Sequence, residues 1–107
     1  MKLCMAQINT LVGDIGGNTQ RVLEVSAAQK AAGARLVVFP ELTLTGYPPE
    51  DLLLRGDLLD RTEAALARLC AELPPDLAVV VGYPRGQDGV LFNSAGVISA
   101  GKLLAQY

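Results

Sequence analysis

Apolar and polar positions along this chain switch between two periods, and the switches mark its elements. From Lys2 to Asn9 apolar residues alternate with small or polar ones, the period of a strand. Val12-Gly13-Asp14-Ile15-Gly16-Gly17-Asn18 breaks that pattern and reads as a loop, with Asn18 placed to cap the next helix. From Thr19 to Ala32, residues Val22, Leu23, Val25, Ala27, Ala28 and Ala31 form a broad stripe at helical spacing. Gly33 supplies the left-handed residue that ends such a helix. Arg35 to Phe39 is apolar after its first residue and rich in β-branched side chains, which predicts a strand buried on both faces.

A second helix is expected to start between Asp57 and Asp60, where Asp60 and Glu63 have the spacing of a capping box. Ala65, Leu66, Leu69, Cys70 and Leu73 form its core face, and Pro74-Pro75 stops it. Leu77 to Val81 predicts another buried strand, closed by Gly82-Tyr83-Pro84, and Gly86-Gln87-Asp88-Gly89 is turn chemistry. Val90 to Ser99 and Lys102 to Tyr107 predict two strands joined as a hairpin at Ala100-Gly101. The order strand–helix–strand–helix–strand–strand–strand gives an α/β fold, a mixed sheet covered by helices or a layered αββα plan. The last strand runs to Tyr107 with no closing loop, as in a chain that stops in mid-architecture.

Composition narrows the choices. At 107 residues the chain is one domain at most. Half the residues are hydrophobic and the mean hydropathy is +0.32, so a folded core is expected, with some apolar surface left for something else to cover. A net charge of −2 with scattered Lys and Arg gives no basic stripe for nucleic acid or acidic lipid. No apolar run approaches the roughly 20 residues of a membrane span, and the opening residues lack the apolar stretch of a secretory leader. Two distant cysteines, Cys4 and Cys70, give no disulfide framework and fit a reducing, cytoplasmic setting. There is no histidine, which excludes Ser-His-Asp and Cys-His catalysis within these residues and makes a metal site unexpected.

The chemical candidate is Glu41. It follows directly on a predicted buried strand, where open α/β sheets place their working residues. Pro40 ends the strand and stiffens the backbone that aims the carboxylate, an arrangement suited to a general base. From spacing alone the plainer reading is a solvated glutamate at a strand end. Glu50 and Asp51 are adjacent and diverge, so they read as the start of a helical turn rather than an acid–base pair. Gly13, Gly16 and Gly17 do not match a phosphate-binding pattern. Cys4, Cys70 and Lys102 read as two packed apolar residues and a solvated turn lysine. Tyr47 and Tyr83 each precede a proline in a loop after a strand, positions that serve either to wall a pocket or to plug a core.

Phe39-Pro40-Glu41-Leu42 followed by Thr45-Gly46-Tyr47 resembles the glutamate motif of the nitrilase (carbon–nitrogen hydrolase) superfamily. Ala6-Gln7-Ile8-Asn9, Val12-Gly13-Asp14 and Asn18 resemble that superfamily's first strand and helix start. Gly46-Tyr47-Pro48-Pro49-Glu50-Asp51-Leu52-Leu53-Leu54-Arg55 is similar to the glutaminase domains of the glutamine-dependent NAD⁺ synthetase family, and Val80 to Pro84 and Phe92 to Ala95 also fit. The resemblance implies an αββα sandwich, of which residues 1–107 form the N-terminal part, and a Glu-Lys-Cys triad. Glu41 matches the triad glutamate and Tyr47 is the candidate substrate-binding residue; Lys102, Cys4 and Cys70 match neither remaining member. It further implies hydrolysis of glutamine to glutamate and ammonia, and delivery of the ammonia to a separate domain that amidates deamido-NAD⁺ with ATP and Mg²⁺. No cofactor is expected in these residues themselves, which alone should be inactive, and the parent is expected to be a homo-oligomer. A stand-alone nitrilase-superfamily amidase and a small non-catalytic α/β binding module are the alternatives.

Overall fold

The computed structural model describes residues 2–46, 56–87 and 90–107. Its elements are β1 (Lys2–Met5), α1 (Ile15–Ala31), β2 (Ala34–Val38), α2 (Gly56–Glu72), β3 (Ala78–Gln87), β4 (Val90–Ser99) and β5 (Lys102–Gln106). They form one sheet in the order β1-β2-β3-β4-β5, parallel from β1 to β3 and antiparallel from β3 to β5. This is the predicted α/β order. Successive crossovers of the usual right hand, stepping across a sheet in one direction, leave both helices on one face. There α1 and α2 touch each other. Among the described residues no helix is long and apolar enough to cross a membrane.

The core lies between that helix layer and the sheet. Val37, Val79 and Ile98 are neighbours across the ladders and fully buried, packed with Val22, Leu66, Leu69 and Leu73. Among the described residues the opposite face carries no helix. Leu36, Val38 and Val80 are only half-buried there, and Leu3 and Met5 remain 52% and 69% exposed. The expectation that β2 is buried on both faces is therefore corrected, because the described residues cover only one side of the sheet.

Local patterns located most elements but misjudged several edges. The strand predicted to reach Asn9 ends at Met5. Helix α1 begins at Ile15, so Gly16, Gly17 and Asn18 lie inside it and Asp14 is the cap, its Oδ1 accepting from the Gly17 N–H at 3.1 Å. The buried side of α1 is Ile15, Asn18, Thr19, Val22 and Ser26, while Ala27, Ala28 and Ala31 face solvent. Thr19 is admitted to that face because its hydroxyl donates to the Ile15 carbonyl one turn back, at 2.6 Å. Gly33 ends the helix as expected, at φ +98°. Helix α2 starts at Gly56, which puts Asp60 inside the helix, so no capping box forms at Asp60 and Glu63. Ala65, Leu66, Leu69 and Leu73 are buried as predicted, and Cys70 is half-buried.

Strand β3 runs through Gly82-Tyr83-Pro84, where a stop was expected. Backbone direction explains the tolerance. The carbonyls of Val80 and Gly82 both face β2 and the loop after it, accepting from Phe39 and Leu44. By alternation Pro84 faces the same way, beyond the end of β2, so its missing N–H removes no ladder bond. The Asp88-Gly89 half of the predicted turn lies outside the described residues. The hairpin between β4 and β5 forms as predicted, with Ala100 at φ +53° and Gly101 at φ +77°, the double left-handed pair of a type I′ turn.

Tyr83 resolves as a core residue. It is 1% exposed, and its hydroxyl donates to Gln106 Oε1 at 2.7 Å. Burial pushes its phenol above the ordinary value of 10.0. The unfolded chain then gives up this proton first, so the contribution is complete below about pH 10 and is lost as pH rises further. Denaturation midpoints should fall as pH rises above about 10, and Tyr83→Phe should show a shallower decline there. An equal decline in both proteins would remove Tyr83 as a cause.

Candidate active site

The site grows from the end of β2. Phe39 still pairs with β3, its N–H donating to the Val80 carbonyl at 2.9 Å, and Pro40 then turns the chain out of the sheet. Residues 42–46 fold into a short buried turn closed by the Gly46 N–H on the Leu42 carbonyl at 2.8 Å. Leu44, fully buried, donates to the Gly82 carbonyl at 3.2 Å. The Thr43 hydroxyl bonds back to the Pro40 carbonyl. Leu42, immediately after the glutamate, sits at φ +51°, a left-handed conformation that a branched side chain adopts only when its surroundings compel it. Glu41 alone in this turn points outward. A carboxylate is thus presented on a backbone fastened on both sides.

One fastening comes from Asn18. Its Oδ1 accepts from the Leu11 N–H at 3.0 Å, and its Nδ2 donates to the Leu11 carbonyl at 2.8 Å and the Leu44 carbonyl at 3.1 Å. The residue expected to cap a helix instead clamps two loops together, and the Gly13 N–H adds a bond to the Thr45 carbonyl at 2.9 Å. Asn18 is 3% exposed and its bond to fully buried Leu44 is itself buried, so removing its amide strands the Leu44 carbonyl. Asn18→Leu should cost about 1–3 kcal/mol in chemical denaturation and speed hydrogen exchange at the Leu11 amide. Unchanged exchange there would mean that the clamp is not what orders the loop.

The other fastening is the absence of a side chain at Gly82. A Cβ at Gly82 would stand 2.5 Å from the Leu42 nitrogen, 2.9 Å from the Pro40 oxygen and 3.0 Å from the Glu41 Cα. The glutamate turn therefore lies directly on β3. Glu41 opens onto a cleft of about 360 Å³ over the uncovered sheet face, lined by Val38, Pro40, Gly82, Asn93 and Tyr107 among others. Asn93 Nδ2 donates to Glu41 Oε1. Among the described lining residues, Glu41 is the one acidic side chain, and no basic side chain joins it.

The remaining candidates lie elsewhere. Tyr47 and the run to Arg55 fall outside the described residues. Cys4 and Cys70 are unpaired thiols packed against the core from β1 and α2, and Lys102 opens β5 at the hairpin, exposed. None of the three lines the cleft. Among the described residues no group of three or more His, Cys, Asp or Glu could hold a metal ion. What the residues here can do is hold one carboxylate, oriented, at the mouth of an open cleft.

Residues 2–107 match the family model described as carbon–nitrogen hydrolase. The chain belongs to the carbon–nitrogen hydrolase family. A glutamine-dependent NAD(+) synthetase of Xanthomonas campestris pv. campestris (strain 8004) is 42% identical over 108 residues, covering 100% of this chain and 19% of its own length. The structure of glutamine-dependent NAD+ synthetase from Acinetobacter baumannii, in complex with ADP, superposes with a TM-score of 0.90 at 38% identity, over 98% of this chain and 20% of that one. An amidase from Nesterenkonia sp. superposes with a TM-score of 0.84 at 25% identity, over 98% of this chain and 41% of its own. The chain spans about a fifth of the length of the curated relatives it matches. The layer of two helices on one sheet is accordingly a part of this family's fold.

Proposed function

We propose that this chain is the N-terminal part of the glutaminase domain of a glutamine-dependent NAD⁺ synthetase, with Glu41 as the general base. The observation that carries this reading is the mounting of Glu41: an outward carboxylate on a buried, doubly fastened turn, facing a cleft at the end of a parallel strand. In the reaction, Glu41 takes the proton of a cysteine thiol as the sulfur attacks the glutamine amide carbon. The C–N bond breaks, the proton passes to the leaving nitrogen, and ammonia departs. Water then cleaves the thioester to release glutamate. A lysine at the developing oxyanion and the cysteine itself come, on this reading, from sequence that continues past Tyr107. Tyr47 is proposed to contact the substrate. ATP and Mg²⁺ serve a further domain, where the ammonia amidates deamido-NAD⁺. The working enzyme is proposed to be a cytoplasmic homo-oligomer.

A stand-alone amidase would use the same cleft. The higher identity to the synthetases, 42% and 38% against 25%, favours the synthetase. The test is Glu41→Gln in the protein expressed from its whole gene, with glutamine-driven and ammonia-driven NAD⁺ synthesis measured side by side. A protein that performs neither reaction before substitution overturns the reading, and one that hydrolyses simple amides but makes no NAD⁺ turns it toward the amidase.

A further inference from the structure

The cleft holds a polar side chain that the reaction as described leaves without a role. Asn93 lies on β4 opposite Pro84, and Ala95, two residues on, lies opposite Gly82, the glycine on which the glutamate turn rests. Asn93 and Ala95 therefore share the open face of the sheet. A diagonal step across that ladder is about 7–8 Å, a gap that a carboxamide and a glutamate side chain can close between them. They do close it, with Asn93 Nδ2 donating to Glu41 Oε1.

We propose that Asn93 is a positioning residue for Glu41, fixing the orientation of the carboxylate that takes the thiol proton; this rests on the general-base reading of Glu41. A glutamate carboxylate hangs on a long, rotatable side chain, and a rigid turn beneath it fixes only the Cα. Asn93 supplies a point of support for the carboxylate itself, from a different strand. A primary amide neither gains nor loses a proton across the working pH range, so it donates to the carboxylate without competing for the proton being moved. The bond is charge-assisted, and it is strongest while Glu41 is ionised and ready to accept. A base must stand within hydrogen-bond reach of its proton, and a displacement of about 1 Å can cost about 10²-fold in rate.

The experiment measures steady-state glutamine hydrolysis across pH by the protein expressed from its whole gene, as wild type, Asn93→Ala, Asn93→Asp, Glu41→Gln and the double variant Glu41→Gln/Asn93→Ala. Asn93→Ala should lower kcat by about 10²-fold with KM for glutamine nearly unchanged. Asn93→Asp keeps the shape of the side chain but sets a second carboxylate against Glu41, so kcat should fall at least as far and the acidic limb should move to higher pH. The double variant should be no slower than Glu41→Gln alone, because a base that is absent cannot be misplaced. An Asn93→Asp enzyme close to wild type beside an impaired Asn93→Ala enzyme would assign the residue to packing and overturn the proposal. So would a raised KM at unchanged kcat, or a double variant that multiplies the two losses. If Glu41→Gln hydrolyses glutamine as wild type does, the general-base reading itself has failed, and the positioning role falls with it.

Discussion

Replacing Glu41 by glutamine is expected to abolish glutamine-driven NAD⁺ synthesis in the protein expressed from its whole gene while ammonia-driven synthesis continues. The substitution is nearly isosteric, and the new side-chain oxygen can still accept from Asn93. What disappears is the ability to take a proton, and general base catalysis contributes about 10²–10⁴-fold. The fold should survive. Glu41 points outward, and the bonds that close its turn are made by the backbone of residues 42–46 and by Asn18 and Gly82. On the proposed function free ammonia bypasses the hydrolytic site, so the second activity reports whether the rest of the molecule is intact. Loss of both activities would mean that Glu41 serves the fold. Retention of both would mean that it is a solvated strand-end residue, the plainer reading of the sequence.

Gly82→Ala should produce the largest structural effect of any single methyl group in the described residues near the site. The atoms that a Cβ would meet, at 2.5, 2.9 and 3.0 Å, are the backbone of Leu42, Pro40 and Glu41, so no flexible side chain can swing aside. Either β3 or the turn must move. Moving the turn sacrifices the Leu44 bond to the Gly82 carbonyl and disturbs Leu42, already at φ +51°. Overpacking of this kind costs about 1–3 kcal/mol, occasionally more, and the close approach to three backbone atoms argues for the upper end. A urea titration should show the midpoint falling with little change in slope. Glutamine hydrolysis should fall by about 10²-fold, since Glu41 rides on the displaced turn. A variant within about 0.5 kcal/mol of wild type, with full activity, would show that the turn does not rest on β3 as described.

Much of this architecture is legible in short-range patterns of residues. The apolar runs at Leu36 to Phe39 and Leu77 to Val81 are strands, and the core side of α2 is nearly the predicted one. Gly33 and Ala100-Gly101 end and turn the chain where their backbone freedom says they should. Glu41 stands out because Pro40 stops an apolar run just before it. These features depend on residues a few positions apart, and two periodicities plus the restrictions on proline and glycine describe them.

The partners of Glu41 are of another kind. Asn93 lies 52 positions away and meets Glu41 only because β3 places β4 beside the glutamate turn. Asn18 looks like a cap in sequence and becomes a clamp because Leu44, 26 positions on, is brought to it by the buried turn. Gly82 looks like a strand stop and is instead the floor of the site, since only a residue without a side chain lets two backbones approach so closely. The elements, their order and the carboxylate at a strand end follow from the amino-acid sequence, because local backbone preferences set them. Which residues hold that carboxylate, and which sheet face it overlooks, follow from the folded chain alone, because strand adjacency and close packing bring together positions that no local period relates.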